Sequence, residues 1–248
     1  MQIKQRLEYP IWKTPYFCVV GLFVFFKLVR AGTLTLLIEK PFINKKLNLT
    51  FKFLNLLIYS GNKDEIGKKL LRCLINLGPG YIKFGQALST RPDLVDKKTC
   101  EYLKKLQDDM EPFSSSIAKN IIEKENNDSI ANIFSSFDEK PIANASVAQV
   151  HTAILKSGET VAIKILKPNI KKKLFKDFIF FYWVSKCLEI AIPSIKRLKL
   201  SKNVEVLSEV SLNELDLTLE ASAAEELSEN FKDNPCLLYT SPSPRDRG

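Results

Sequence analysis

The sequence has 248 residues, of which 45% are hydrophobic and 26% are charged, so a sizeable core is expected and global disorder is excluded. Its formal net charge of +9 fits nucleic acid, a phosphate-bearing ligand or an anionic membrane as a partner, and equally a lysine-rich solvated surface. Five scattered cysteines without a CxxC pair and a single histidine, His151, indicate neither a disulfide framework nor a zinc or His-rich metal site. The cysteine usage favours a reduced intracellular setting.

The N-terminal segment, residues 1–44, is apolar and basic. Its centre, Pro15–Phe26, is strongly apolar, but about 12 such residues fall short of the ~20 that a membrane-spanning helix needs. Lys27 and Arg30 follow at once, where a secretory signal would have a small-residue cleavage site. Two interpretations stay open: an interfacial helix with its cations near lipid head groups, or a helix packed on the body of the protein.

Residues 45–129 are predicted to form a helical extension. An apolar stretch is followed by helical signals over residues 64–77, 81–89, 92–106 and 117–125. The run Gly78-Pro79-Gly80 ends the first of these helices, Pro92-Asp93 opens the third, and Ser114 begins the cap of the fourth.

After Ile130 the pattern changes to that of a small sheet with helices, assigned to residues 130–235. Strand signals cover residues 134–137, 147–155 and 160–166. The turn Lys156–Glu159 joins the last two strands, which predicts a β-hairpin. A helix is expected from Lys171, and Leu207–Phe231 is expected to be a long acidic amphipathic helix or a helix pair.

The tail, residues 236–248, has no hydrophobic period and is predicted to be disordered. The stretch Leu237–Asp246 can be back-translated into a sequence that resembles a transposon-type sequencing adapter. We therefore predict that Cys236–Gly248 is read-through and that the natural protein continues past Pro235.

The tetrapeptide Val161-Ala-Ile-Lys164 lies on the second strand of the predicted hairpin. A lysine in this position points a fixed cation at the phosphates of a nucleotide under the hairpin. Alone the signal is weak, because a lysine extending from the end of any strand gives the same pattern. The preceding loop, Pro141–His151, is rich in small residues but lacks the glycines that usually let backbone approach phosphate.

A second group, Lys83-Phe-Gly85-Gln86, lies in the helix predicted over 81–89. Lys83 and Gln86 are three residues apart and are expected on one face, where Thr90 would extend a polar stripe. Gly85 between them would allow close approach of another element. An exposed helix face explains the lysine equally well, but explains the grouping less well.

A third group, Glu214, Asp216 and Glu220, precedes a helix made mainly of Ala and Glu. Acidic residues at a helix start complement its dipole, which suffices to explain one or two of them. The order of these motifs resembles that of the UbiB/AarF family of atypical kinase-like proteins. The order is K-x-G-Q, then an alanine-rich loop ending in S-x-A-Q-V-H, then V-A-x-K, then E-x-D followed by E-A. The resemblance runs from about Leu77 to Asn234.

The resemblance implies an α+β fold, in which a kinase-like N-lobe (a small antiparallel sheet with helices) follows a family-specific helical extension and the C-lobe is missing. It implies that Lys164 binds phosphate and that Glu220 pairs with it. Lys83 and Gln86 would lie across the nucleotide pocket as a gate, with Glu214 and Asp216 holding Lys83. The implied phosphate loop, in place of a glycine-rich one, consists of Ala143, Asn144, Ala145, Ser146, Val147 and Ala148.

The resemblance also implies partners and cofactors. These are ATP or ADP, with Mg²⁺ or Mn²⁺ in the full-length protein, a membrane lipid or isoprenoid-quinone precursor, and proteins of ubiquinone biosynthesis, but no nucleic acid. The implied location is the cytoplasmic side of a bacterial inner membrane, with peripheral attachment. Family members show ATPase activity more readily than protein phosphorylation.

Two departures from the family pattern limit what is expected of this chain. Asn144 interrupts the alanine run, and no catalytic-loop Asp, metal-binding Asn or D-F-G follows Pro235. No catalytic or metal-binding residue is therefore assigned, and the chain by itself is expected to be inactive. The leading hypothesis is a kinase-like ATPase that acts in ubiquinone biosynthesis. The alternative is a membrane-associated lipid-binding or chaperone module in which nucleotide only regulates conformation, and an ordinary protein kinase is disfavoured.

Overall fold

The computed structural model describes residues 7, 14–38, 45–58, 65–107 and 111–232. The predicted tail, residues 236–248, lies outside these residues. The helices that precede the sheet are α1 (Thr14–Arg30), α2 (Thr33–Leu37), α3 (Lys45–Ile58), α4 (Ile66–Leu77), α5 (Pro79–Ser89), α6 (Lys97–Lys104), α7 (Ser115–Asn126) and α8 (Ile130–Ile133).

The sheet is antiparallel and is built around its longest strand. Its strands are β1 (Phe134–Phe137), β2 (Ala143–Asn144), β3 (Ala148–Leu155) and β4 (Thr160–Leu166). One edge of β3 pairs with β4 over its whole length, from Ala148↔Leu166 to Ile154↔Thr160, whereas β1 and β2 share the other edge. Gly158, with φ of 92°, supplies the left-handed residue of the β3–β4 turn. The predicted β-hairpin is confirmed.

The helices that follow the sheet are α9 (Ile170–Ala191), a 3₁₀ turn (Pro193–Leu198), α10 (Leu200–Asn213) and α11 (Leu217–Asn230). The acidic C-terminal segment is thus a helix pair, and its break lies at Glu214–Asp216. Two helix starts were predicted wrongly: α10 begins at Leu200 rather than at Leu207, and α6 begins at Lys97 rather than at Pro92. Asp96 is its N-cap and accepts a hydrogen bond from the Thr99 N–H, whereas Pro92 lies in a preceding turn.

Three clusters of buried side chains form the core, and α9 contributes to two of them. The first joins α1, α4, α5, α6 and α9 through Phe17, Val24, Leu70, Leu74, Tyr81, Ile82, Leu103, Leu106, Phe180 and Trp183. The second joins α9 to the sheet through Leu7, Val147, Ala148, Ile170, Leu174, Phe178, Tyr182 and Leu215. The third joins α7 to the sheet through Ala118, Ile122, Phe134, Ala153 and Ile165. The strongly apolar α9 is therefore the central support of the molecule.

The apolar N-terminal helix, α1, packs one face on this core and exposes the other. The Phe17 ring lies 6.1 Å from Phe180 and 5.7 Å from Trp183, whereas Leu22 is 71% exposed. Among the residues that the structure describes, no helix has the length and apolar character to cross a membrane. Both interpretations of this segment thus keep support: it packs on the body, and it also presents an apolar surface. The predicted domain boundaries stay predictions.

Candidate functional site

Lys164 and Glu220 meet across the sheet and α11. The Nζ of Lys164 donates to both carboxylate oxygens of Glu220, each at 2.7 Å. The two side chains are 39% and 50% exposed, so the pair contributes at most about 1 kcal/mol to stability. Little stability is lost if the lysine leaves Glu220 for another anion, which suits a ligand-binding cation.

The alternation of β4 places Lys164 on the face away from the third core cluster. Ile165 is buried in that cluster and Val161 and Ile163 pack against it, whereas Ala162 and Lys164 are exposed on the opposite face. Glu220 lies in the first turn of α11, close enough to reach this face. The strand fixes the lysine stem and the helix fixes its carboxylate partner.

Lys83 and Glu214 form a second ion pair, between α5 and the end of α10. Lys83 is only 7% exposed, and its Nζ donates to Glu214 Oε2. Glu214 is the C-cap residue of α10, and its side chain is 45% exposed. Removal of the carboxylate would leave a buried ammonium without its counter-charge, which is far more costly than loss of an exposed pair.

Gln86, predicted with Lys83 as a gate residue, and Thr90, predicted to extend the polar stripe, do not accompany Lys83 to Glu214. Gln86 donates through Nε2 to the Leu106 carbonyl at 2.8 Å, and Thr90 donates to Ala87 of its own helix at 2.9 Å. The predicted polar stripe of Lys83, Gln86 and Thr90 is therefore wrong. Residues three apart on a helix differ by about 60° in direction, enough for Lys83 to face α10 and Gln86 to face the end of α6.

Asp216 does not contact Lys83 but begins α11. Its Oδ1 accepts from the backbone N–H groups of Thr218 at 3.1 Å and Leu219 at 3.3 Å, so it is the N-cap of that helix. Of the two E-x-D carboxylates, the structure brings only Glu214 to the lysine. Asp216 instead holds the start of the helix that carries Glu220.

The alanine-rich loop is partly core and partly surface. It closes as a tight turn, in which Ala145 N–H donates to the Ala148 carbonyl at 2.8 Å. Ser146, Val147 and Ala148 are buried, and Val147 and Ala148 belong to the second core cluster. Ala143 and Ala145 are exposed and Asn144 is intermediate.

The side-chain oxygen of Asn144, in this loop, is an unsatisfied hydrogen-bond acceptor. Within the described residues, its Oδ1 is a buried oxygen that lacks a hydrogen-bond partner. Such an atom costs about 1–3 kcal/mol relative to a satisfied one. The exposed positions of the loop, together with Lys164, are the groups that fit a phosphate. No set of three His, Cys, Asp or Glu side chains placed to hold a metal occurs in the described part of the chain.

Comparison with known proteins identifies the family. The model of the ABC1 atypical kinase-like domain matches residues 105–240, more than half of the chain. This chain belongs to the ABC1 atypical kinase-like family. The resemblance to UbiB/AarF proteins is thereby confirmed, and so is the α+β fold of a kinase-like N-lobe preceded by helices.

The chain is similar to several curated members of the ABC1 family. "Probable protein kinase UbiB" of Shewanella woodyi is 41% identical over 200 residues, which are 80% of this chain and 36% of that protein. Proteins of the same name from Shewanella pealeana and Cellvibrio japonicus are 43% and 42% identical, over 71% and 70% of this chain and 32% and 31% of their own lengths. The chain thus spans about a third of the length of these relatives.

In this ABC1 member the S-x-A-Q-V-H motif forms a buried polar network that the sequence analysis did not assign. Phe113 N–H donates to Gln149 Oε1 at 3.0 Å, and Gln149 Nε2 lies 2.7 Å from His151 Nε2. His151 Nδ1 lies 2.9 Å from the Asp138 carbonyl. Because a carbonyl only accepts, we assign the ring hydrogen to Nδ1 and let Nε2 accept from the glutamine amide. The sequence contained a sign of this network, because Gln149 and His151 are two residues apart in a strand and therefore point to the same face of the sheet.

Asp177 is a second residue that the sequence analysis missed. Gly80 N–H donates to its Oδ2 at 3.0 Å, at the start of the K-x-G-Q helix α5. A Cβ on Gly80 would lie 2.4 Å from the Asp177 Cβ, so only glycine fits there. Burial raises the pKa of Asp177 to about 6, although the Gly80 hydrogen bond and Lys176 act in the opposite direction. Burial and the nearby Asp177 also raise the pKa of Tyr81.

This raised pKa predicts a pH-dependent stability. The folded state holds the Asp177 proton more tightly than the unfolded chain, whose carboxyl has an ordinary pKa near 3.8. Its contribution therefore favours folding most below pH 3.8 and is lost as the pH rises through about 6. We expect Asp177→Asn to raise the free energy of unfolding by about 1–2 kcal/mol at pH 7.5 and to have little effect at pH 3.5.

Urea denaturation at the two pH values checks this expectation. Glu125→Gln, a change at an exposed carboxylate of α7, is the matched control and should show no such pH-dependent gain. Equal stability of wild type and Asp177→Asn at pH 7.5 would contradict the assigned cost of the buried charge.

Proposed function

We propose that the intact protein is a kinase-like ATP-binding protein, an ATPase or regulatory kinase, that supports ubiquinone biosynthesis. The observation that carries this proposal is the exposed Lys164–Glu220 pair beside the alanine-rich loop. The relatives named "Probable protein kinase UbiB" support the same reading. Mg²⁺ or Mn²⁺, when bound with ATP or ADP, would supply charge that offsets the phosphates.

In this proposal the chain provides one side of the nucleotide site. Lys164 contacts the phosphates with a fixed cation, and Glu220 sets the direction of its stem. Ala143 and Ala145 form the exposed part of the phosphate loop, and Asn144 lies half-buried between them. The loop is stiffer than a glycine-rich loop because each Cβ restricts φ. Ser146, Val147 and Ala148 anchor the loop in the core and so fix where it stands.

The two ion pairs are linked by one short piece of chain. Glu214 precedes Asp216 by two residues, and Asp216 caps the helix that carries Glu220. A movement at the start of α11 therefore acts on both the Lys83 and the Lys164 contacts. We assign Lys83, held by Glu214, as the residue that restricts access to the site, with Gln86 keeping α5 against α6.

Calorimetric titration of the full-length protein with Mg·ATP and Mg·ADP tests the proposal. Saturable binding and release of phosphate from ATP are expected. Absence of both, in a protein whose circular dichroism shows it to be folded, would refute nucleotide binding as the function. The acceptor or ligand is proposed to be a membrane lipid or isoprenoid-quinone precursor, with ubiquinone-biosynthesis proteins as partners.

A second function, membrane attachment, is favoured by an exposed apolar surface on α1 and α3. These helices contact each other, and the Thr35 hydroxyl of α2 donates to Asn55 of α3 at 3.1 Å. Large apolar side chains stay exposed on both helices: Val19 68%, Leu22 71%, Phe23 58%, Leu49 71%, Phe53 61% and Leu56 81%. Patches of this kind mark interaction or membrane sites.

Cations border this surface in the way that lipid-binding helices show. Lys27 Nζ lies 4.4 Å from the centre of the Phe23 ring, and the Arg30 guanidinium lies 5.9 Å from that of Phe26. Aromatic side chains enter the acyl boundary while the cations stay with anionic head groups. Peripheral membrane attachment is proposed on this basis, and the cytoplasmic side of the bacterial inner membrane is proposed from the family resemblance.

Replacement of Leu22 and Leu56 by glutamine is expected to weaken vesicle binding about tenfold, because two apolar side chains no longer enter the lipid. The measurement is co-sedimentation with phosphatidylcholine vesicles containing phosphatidylglycerol, with pure phosphatidylcholine as the neutral comparison. Ile190→Gln is the matched control, since Ile190 is 82% exposed on α9. Equal binding of the double variant and the control would remove this surface from the proposal.

A further inference from the structure

The K-x-G-Q helix α5 lies beside α9 and runs in the same direction. Gly80 contacts Asp177, and the Phe84 ring lies 6.0 Å from that of Phe181. The second contact lies four residues after the first in both helices, so an i, i+4 row of α5 faces an i, i+4 row of α9. Tyr81 adds an edge contact with Phe181 at 4.8 Å.

The start of α5 receives its cap from α9 and not from its own segment. Gly78, with φ of 124°, is the N-cap residue and has no side chain to accept a hydrogen bond, and Pro79 follows it. The carboxylate of Asp177 fills this role, although it lies 97 residues away in the chain. The first turn of α5 is therefore fixed relative to α9.

The start of α10 is fixed by α9 in the same way. Its N-cap residue, Lys199, makes no side-chain capping bond. Instead Glu189 of α9 accepts from the Ser201 N–H at 2.9 Å and from the Ser201 hydroxyl at 3.0 Å. Two acidic residues of one helix thus cap the starts of two neighbouring helices.

These two capped helices carry the two partners of the buried ion pair. Lys83 lies one turn after Gly80 in α5, and Glu214 is the C-cap residue of α10. A rotation or slide of either helix against α9 moves one partner away from the other. The ion pair therefore depends on the two caps even though neither cap residue contacts it.

We propose that Asp177 and Glu189 are positioning residues, which hold α5 and α10 on α9 so that Lys83 stays paired with Glu214. An asparagine at position 177 would accept the same hydrogen bond from Gly80, so the positioning requires the acceptor oxygen rather than the charge. The bearing of this arrangement on nucleotide access rests on the proposed function, but the positioning itself does not.

Chemical labelling of Lys83 tests the proposal without any nucleotide. The full chain is exposed briefly to an N-hydroxysuccinimide acetate, and acetylation of Lys83 is measured by mass spectrometry relative to the exposed Lys156. We expect Asp177→Ala and Glu189→Ala each to raise this ratio about fivefold, the effect of losing one helix cap on an opening equilibrium. Asp177→Asn and Glu189→Gln, which keep an acceptor oxygen, should restore the ratio to within about twofold of wild type.

Two controls separate positioning from general loss of structure. Glu125→Ala removes an exposed carboxylate of α7 and should leave the ratio unchanged. Hydrogen exchange of the Ala153 amide reports global opening, because Ala153 lies in β3 and in the third core cluster, away from α5, α9 and α10; it should not rise with Lys83. An unchanged Lys83 ratio in both alanine variants, or an equal rise in exchange at Ala153, would overturn the proposal. The asparagine and glutamine variants keep it testable if an alanine variant does not fold, because a fivefold rise in either would contradict the rescue.

Discussion

Replacement of Lys164 by alanine is expected to weaken Mg·ATP binding to the full-length protein about 100-fold or more. A charged hydrogen bond to phosphate is lost, and truncation of one partner of such a contact typically costs several kcal/mol of binding free energy. The lysine is held on a strand and by Glu220, so no other side chain replaces it without a change of geometry. The measurement is calorimetric titration with Mg·ATP.

Because the Lys164–Glu220 pair is exposed, the Lys164→Ala variant should lose nucleotide affinity without losing its fold. Because Lys164 and Glu220 are 39% and 50% exposed, their contact contributes at most about 1 kcal/mol to folding, and the variant should remain folded. Lys156→Ala, a change at the turn of the same hairpin, removes an equal charge and should leave the affinity within about twofold. An unchanged affinity in Lys164→Ala would remove Lys164 from the nucleotide site.

Features set by local sequence were the ones that could be predicted. The strands around Lys156–Glu159 follow from alternation and turn residues, and Lys164 takes its direction from the parity of its strand. The order of the short motifs indicated the family, and the resemblance to that family predicted the Lys164–Glu220 and Lys83–Glu214 contacts. Each of these contacts depends on a motif that the sequence shows.

Features that depend on tertiary packing could not be predicted in this way. Gln86 contacts the Leu106 carbonyl because α6 ends just before it, and Asp216 is an N-cap because α11 starts directly after it. Sequence patterns give such helix ends only to within a few residues. Asp177 and Gly80 are 97 residues apart, and no motif joins them. The run Gly78-Pro79-Gly80 predicts a helix stop, and the structure shows that Gly80 is also required for the close approach of Asp177.

Replacement of Gln149 by alanine is expected to lower the free energy of unfolding by about 3 kcal/mol or more. Gln149 is fully buried and bridges the Phe113 backbone, before α7, to His151 of the sheet. Its loss removes the partners of a backbone N–H and a ring nitrogen and adds a cavity. Chemical denaturation, monitored by circular dichroism, is the measurement.

Two further variants divide this effect into its causes. Gln149→Met keeps most of the volume and removes the hydrogen bonds, so a loss close to that of the alanine variant assigns the effect to polar satisfaction rather than to the cavity. Gln107→Ala, at an exposed glutamine, should change stability by less than about 0.5 kcal/mol. A loss below about 1 kcal/mol in Gln149→Ala would contradict the network. Because Gln149 joins the helical extension to the sheet that carries Lys164, a large loss means that part of the S-x-A-Q-V-H motif stabilises the contact between these two parts of the fold.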